Sequence, residues 1–252
     1  MSHSEKPFVL SIAGFDPSAG AGLLSDIKVF EMHGVQGLGV CTSITFQNEK
    51  EFEGLNWLST SDVIRQMEIL LKLYDVEYVK IGLVKGLKEL NTVIDVLLKW
   101  NKETKVIWDP ILKASAGYDF HNEIEQKTLT EILKKIYLIT PNLDEITKLV
   151  PDEKEVMVCA RKLSENCIVY LKGGHIESKL VKDMLFLKSK VLHFENERIE
   201  QGEKHGSGCV LSSSLTANLA AGLSLEASCE KAIAYTRNFL KSNKTLLGYH
   251  NN

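Results

Sequence analysis

His205-Gly-Ser-Gly-Cys209 sets two glycines directly before a helical run, so consecutive backbone N–H groups can point into one small space. With the positive end of a helix dipole behind them, Gly206, Ser207, Gly208 and Cys209 suit an oxygen that gains negative charge during group transfer. A tight turn into a helix is the plainer reading of Gly-x-Gly alone. Cys209 adds a second function. A thiol in the first helical turn should have its pKa pulled below about 8.5 and accept a proton from a substrate hydroxyl, the alternative being a small buried apolar side chain.

Asp109 follows a β run and Pro110 fixes the chain after it, while Asn142 and Glu145 stand three apart at a helix start. One acid with an Asn-x-x-Glu pair suits Mg²⁺ held largely through water beside phosphates, and helix capping explains the Asn142 and Glu145 spacing equally well. Lys172, before Gly173-Gly174, either sets an ammonium against a phosphate or is simply solvated. Gly14 to Gly22 fits neither nucleotide fingerprint, because Ser25 stands where the third glycine would be and no Gly-Lys-Ser/Thr triplet occurs. That loop still offers close backbone approach, with Asp16 and Asp26 as polar contacts. His175 and His205 have no companion at ligand spacing and read as polar loop or pocket residues.

These residues need a frame that brings them to one edge. Phe8 to Ala13 reads as a strand, the glycine loop follows, and Leu23 to Met32 is amphipathic. The unit recurs as Gly37 to Ile44 then Val63 to Leu73, Tyr78 to Ile81 then Leu87 to Trp100, and Lys105 to Trp108 then Ile124 to Ile136. Tyr137 to Ile139 leads into a helix at Glu145 to Val150, and Ile168 to Leu171 follows a helix at Glu155 to Ser164. Such alternation specifies an α/β chain with a mostly parallel sheet and helices on both faces. Asp183 to Leu187 and Val191 to Phe194 form a late hairpin, and helices at Cys209 to Ala221 and Leu225 to Leu246 close the chain, leaving Tyr249 to Asn252 frayed. With no Pro/Ser-rich linker, residues 1–252 read as one domain. Ligands of such sheets lie beyond the carboxyl ends of the strands, where Gly14 to Gly22, Thr45 to Asn48, Gly82, Asp109, Thr140 to Glu145, Lys172 to His175 and His205 to Cys209 all fall.

Composition narrows the class. With 44% apolar and 25% charged residues the chain is neither disordered nor fibrous. Its 30 basic against 33 acidic residues leave a net charge of −3, which argues against a nucleic-acid or membrane-surface binder. No apolar run is long enough to span a bilayer, and the N-terminus lacks a cleavable leader pattern, so a cytoplasmic protein is expected. Five scattered cysteines without a C-x-x-C pair argue against a disulfide framework or a zinc site.

Ala13-Gly-Phe-Asp-Pro-Ser-Ala-Gly-Ala-Gly22, Gln47-Asn48, Lys80-Ile-Gly82, Asp109-Pro110, Thr140 to Glu145, Lys172 to His175 and His205 to Cys209 together resemble, in register over nearly the whole chain, the hydroxymethylpyrimidine/phosphomethylpyrimidine kinases of thiamin synthesis, within the ribokinase-like superfamily. The resemblance implies a three-layer α/β/α fold that moves the ATP γ-phosphoryl group to 4-amino-5-hydroxymethyl-2-methylpyrimidine and then to its monophosphate. It implies Gly206 to Cys209 as the anion hole, Cys209 as catalytic base, and Ala13, Gly14 and Gln47 against the aminopyrimidine with Asp26 and Leu83 nearby. Asp109, Asn142 and Glu145 would serve Mg²⁺ and phosphates, Lys172 the ATP, and the chain would be a homodimer. It departs from the family at Ala116 between Ser115 and Gly117, at Lys204 and at Glu49, which bears on the second phosphorylation; an added cation near the anion hole is one compensation. Rival readings are a pyridoxal kinase, a silent ligand binder and, weakened by the missing fingerprint, an NAD-dependent dehydrogenase.

Overall fold

The structure, a computed structural model, describes residues 6–112, 124–174, 179–200 and 202–251, so Ser115, Ala116, Gly117 and His175 lie outside the described residues. One nine-stranded sheet runs through it. In chain order the strands are β1 (Phe8–Phe15), β2 (Gln36–Gln47), β3 (Phe52–Trp57), β4 (Val76–Ile81), β5 (Lys105–Trp108), β6 (Leu138–Ile139), β7 (Ile168–Leu171), β8 (Leu180–Phe186) and β9 (Val191–Glu197). Their spatial order is β3-β2-β1-β4-β5-β6-β7-β8-β9. All pairings from β2 to β7 are parallel, and β3, β8 and β9 join antiparallel.

Two layers of helix sandwich the sheet. On one face lie α1 (Gly22–Met32), α7 (Ser207–Ala220) and α8 (Leu225–Lys241), and on the other α2 (Thr60–Leu71), α3 (Leu87–Trp100), α4 (Gln126–Leu133), α5 (Leu143–Leu149) and α6 (Val156–Ser164). In α3, Leu90, Val93, Ile94 and Leu97 are buried at helical spacing, each such burial stabilising by about 1.5–3 kcal/mol. The fold is therefore the three-layer, mostly parallel α/β/α arrangement expected. After β1 the chain moves to β2 on one side and later to β4 on the other, so a crevice opens beyond the carboxyl ends of β1 and β4.

Three local expectations change. The run after Ile44 continues in β2 as far as Gln47 and turns back into β3, which the sequence reading missed because Phe52–Trp57 carries Gly54 and Asn56 and alternates weakly. The last helix stops at Lys241, not Leu246, and residues 243–247 fold back as a loop. The tail beyond is docked: the His250 ring stacks on Phe239 at 4.8 Å and its Nδ1 shares a 2.9 Å hydrogen bond with Tyr235.

Candidate active site

The turn into α7 is built around Gly206, whose φ of 76° lies in the left-handed region that favours glycine. A Cβ there would also collide with the Gly20 carbonyl, so the glycine loop after β1 and the turn before α7 pack backbone to backbone. Gly22 (φ 59°) has the same constraint against the Gly14 carbonyl. The first intrahelical bond of this turn runs from Val210 N–H to the Gly206 carbonyl, which leaves the N–H groups of Gly208 and Cys209 at the open end of the helix. A glycine turn that opens a helix with free N–H groups is thus present as geometry.

Asp109, Glu145 and Lys172 gather on the neighbouring strand ends. Lys172 Nζ lies 2.8 Å from Asp109 Oδ1 and 3.6 Å from Glu145 Oε2. Added to Gly208, a Cβ would stand 3.5 Å from the same ammonium, so Lys172 faces the bare side of the turn. Asp109 also accepts from Thr140 and Ser212, both at 3.0 Å. Burial raises its carboxyl, and the charges of Lys172 and Lys80 with the hydrogen bonds from Lys172 and Thr140 outweigh it and hold the group below its ordinary range. Glu145 goes the other way: burial, opposed by Lys172 and reinforced by Asp109, pushes it up to about 7. Asn142 and Glu145 also form a reciprocal capping box at α5, with Glu145 N–H to Asn142 Oδ1 at 2.8 Å and Asn142 N–H to Glu145 Oε2 at 2.7 Å. Capping and cleft lining are both present at these two residues.

Cys209 is buried, and its thiol departs from expectation. Burial pushes it up to about 11, with Lys80 and the Gly22 N–H opposing and Asp109 and Asp26 reinforcing, the opposite direction to the lowering expected.

Asp26 is not on the cleft wall. It lies beneath it, fully buried, held by Lys80 Nζ at 2.9 and 3.0 Å, Ser11 Oγ at 2.5 Å and Ser213 Oγ at 2.6 Å. Asp16 likewise organises its own loop. It accepts from the N–H and Oγ of Ser18 and from Ala21 N–H, and shares a 2.8 Å hydrogen bond with His205 Nε2. Three consecutive serines on α7 point about 100° apart and reach three different partners: Ser212 to Asp109, Ser213 to Asp26 and Ser214 to His33. A helix buried on all sides is thereby oriented by polar contacts.

A cleft of about 1310 Å³ joins these parts. Gly14, Gln47 and Leu83 line one end, Asp109, Asn142, Glu145 and Lys172 another, and Gly206, Ser207, Gly208 and Cys209 the floor between. Ala13 is buried beside Gly82 and is not among the lining residues. Sequence reading missed the wall made by Arg198, Ile199, Arg237, Lys244 and Leu246, which come from the segment just past β9, from α8 and from the loop beyond it. No strand-end signal marks them; only the turn of the chain after Lys241 brings Lys244 and Leu246 back.

A nine-stranded sheet between two helical layers, with a glycine turn and an acid–lysine cluster at its carboxyl edge, defines a ribokinase-like α/β protein of the class that includes vitamin kinases. The pyridoxal kinase from Staphylococcus aureus in complex with AMP-PCP and pyridoxal has the same fold, with a TM-score of 0.85, 22% identity and coverage of 97% of this chain and 92% of that one. Phosphomethylpyrimidine kinase from Clostridium difficile 630 superposes with a TM-score of 0.77 at 26% identity, over 92% of this chain and 99% of that one. The pattern of the family described as phosphomethylpyrimidine kinase matches residues 16–252. A hydroxymethylpyrimidine/phosphomethylpyrimidine kinase of Staphylococcus aureus (strain MRSA252) is 34% identical over 232 residues, 88% of this chain and 84% of the relative. One from Aquifex aeolicus is 30% identical over 244 residues, 94% and 95% of the two. The chain belongs to the phosphomethylpyrimidine kinase family, a family of kinases.

Proposed function

We propose that the chain transfers the γ-phosphoryl group of ATP to the hydroxymethyl group of 4-amino-5-hydroxymethyl-2-methylpyrimidine, and then to the resulting monophosphate, for thiamin synthesis or salvage. One observation carries the reading: Cys209 stands in the first turn of α7, behind Gly206 and Gly208, on a cleft that also holds Lys172 and the Gly14–Gln47–Leu83 end. The pyrimidine sits at that end, with Gln47 and the Gly14 backbone available for hydrogen bonding and Leu83 against the ring. ATP lies across Lys172, Asn142 and Asp109 with its γ-phosphoryl group at the open N–H groups of Gly208 and Cys209. Cys209 Sγ, in its thiolate form, takes the hydroxyl proton as the oxygen attacks phosphorus and the bond to the β-phosphate oxygen breaks to release ADP, and those N–H groups stabilise the charge spread over the transferring oxygens.

Mg²⁺ fits the acidic pair. Among the described residues no group of three or more His, Cys, Asp or Glu side chains forms a cage, and Asp109 and Glu145 share one lysine. Such a donor set suits a cation held mostly by water, and when bound the cation would offset phosphate charge. Asp109 and Glu145 would hold it through their carboxylates.

Because burial holds Glu145 partly protonated near neutrality, raising the pH through about 7 converts it to the carboxylate the cation needs. Plotted against pH, kcat/KM for Mg-ATP is expected to rise with a break near that value, and Glu145→Gln should erase the break. A break unchanged in the variant would assign the titration to another group.

Assembly follows from the sheet edge. Ile44 and Phe46 are about half exposed on β2, beside the edge strand β3, and a second copy covering them gives a homodimer. Light scattering is expected to return twice the chain mass; a monomer at micromolar concentration would sink this part. No helix among the described residues is long and apolar enough to cross a membrane. We take residues 1–252 as one catalytic domain working in the cytoplasm, where its co-substrate ATP is abundant.

The deciding experiment offers purified protein Mg-ATP with hydroxymethylpyrimidine, its monophosphate and pyridoxal in parallel and weighs the products. Turnover of the first two is expected. Pyridoxal turnover alone would move the assignment to the vitamin B6 substrate, and no turnover at all would favour a silent binder.

A further inference from the structure

Lys204 immediately precedes the His-Gly-Ser-Gly-Cys turn, and its side chain does not reach solvent as an isolated surface lysine does. It is only 7% exposed. Its ammonium donates to two main-chain carbonyls of the loop after α8, Asn243 O at 2.7 Å and Thr245 O at 2.5 Å. Among the described residues it pairs with no carboxylate, so the charge is met by backbone dipoles alone.

Both sides of this contact are stiff. The loop holds its own shape through Asn243 Nδ2 to Leu247 O at 2.8 Å and Thr245 N–H to Asn243 Oδ1 at 2.8 Å. On the other side, the Lys204 carbonyl accepts from Ser207 N–H at 3.4 Å, and His205 N–H donates to Leu246 O at 2.9 Å. Lys244 and Leu246 of the loop line the same cleft as Gly206 to Cys209. The lysine therefore ties the cleft wall to the residues that open α7, and it places a fixed positive charge next to the positive end of that helix.

We infer that Lys204 is a positioning residue for phosphoryl transfer: its ammonium, seated on the Asn243 and Thr245 carbonyls, is a tethered cation that fixes the C-terminal loop against the anion-binding turn. It touches no reacting atom. Its action is to hold the Gly208 and Cys209 N–H groups in place where the transferring phosphoryl group must sit, and a displacement of about 1 Å at such a site is enough to cost on the order of 10² in rate. The inference rests on the kinase reading for its kinetic arm.

Two carbonyl oxygens that accept an ammonium group also accept a free ammonium or potassium ion, which is similar in size, better than the smaller, more tightly hydrated lithium ion. Lys204→Met keeps the apolar stem as far as the ε position and removes only the ammonium, which leaves its seat on the two carbonyls open. The variant is expected to lose roughly tenfold or more in kcat/KM for Mg-ATP, with KM for the pyrimidine little changed. Ammonium or potassium chloride should restore a good part of that loss while lithium chloride at equal ionic strength does not. Melting of the ligand-free variant should show the same order, ammonium and potassium above lithium, which needs no turnover and so reads the cation seat even if the substrate assignment fails.

Wild-type protein needs no variant to test the same idea: with the seat filled by Lys204, exchanging potassium for lithium should leave both its rate and its melting temperature unchanged. Activation of the wild type by potassium would overturn the inference, because the ion would then bind despite the lysine. Wild-type kinetics in Lys204→Met, or a loss that neither ammonium nor potassium relieves, would overturn it too and reduce Lys204 to packing.

Discussion

Replacing Cys209 by alanine is expected to lower kcat by about 10²-fold or more while leaving KM for the pyrimidine within about twofold. The reason lies in where the thiol sits. It is in the first turn of α7, at the floor of the cleft, close enough to Lys80 and Asp109 for their charges to act on it. Truncation removes the proton acceptor without touching Gly14, Gln47 or Leu83, so binding persists. Burial gives the prediction a second signature. With the thiol pushed up to about 11, only a small fraction is thiolate at neutral pH, and that fraction grows tenfold for each unit of pH. Wild-type kcat/KM should therefore keep rising from pH 7.5 to about 9, above the break assigned to Glu145. Cys209→Asp moves the base into the carboxylate range and should flatten that rise. An alanine variant with wild-type kcat would show that Cys209 only packs.

The largest effect on stability is expected from the buried pair beneath the site. Lys80 and Asp26 are both fully buried, and their charged atoms meet at 2.9 and 3.0 Å. Burial pulls the ammonium down, and the charges of Asp26, Cys209 and Asp109 outweigh it and hold it above its ordinary range. Lys80→Met strands the Asp26 carboxylate in the core with only the Ser11 and Ser213 hydroxyls for partners. Breaking one side of such a pair costs about 3–5 kcal/mol, whereas replacing both members by apolar groups of similar volume is often close to neutral. The single variant should unfold at markedly lower denaturant concentration, and Lys80→Met with Asp26→Leu should recover much of the loss. Equal midpoints for the single variant and the wild type would remove the pair from the account of stability. Because Ser213 on α7 donates to Asp26, the double variant should still show reduced kcat: the helix that carries Cys209 loses the contact that sets its rotation.

Much of this was open to inspection in the sequence. Alternating β runs and helical periods specified the parallel sheet, because side-chain periods of 2 and about 3.6 residues are local properties of the chain. Gly206, Gly208 and Cys209 stood out because a turn that opens a helix needs residues without a Cβ clash, and Asn142 with Glu145 because a capping box is a three-residue spacing. The strand-end rule then collected Gly14, Gln47, Asp109 and Lys172 near one edge without any knowledge of their distances. The tertiary structure decided what depends on neighbours far along the chain. Asp26 left the pocket because Lys80, 54 residues away, draws its carboxylate beneath the floor. Cys209 carries a raised rather than a lowered pKa because burial, with Asp109 and Asp26 nearby, exceeds what Lys80 and the Gly22 N–H give back. Lys204 gained its partners only when residues 243–245 folded back to it. Spacing along a chain encodes which groups can face the same way; how much water remains around them, and which distant backbone closes over them, is fixed only when the layers pack.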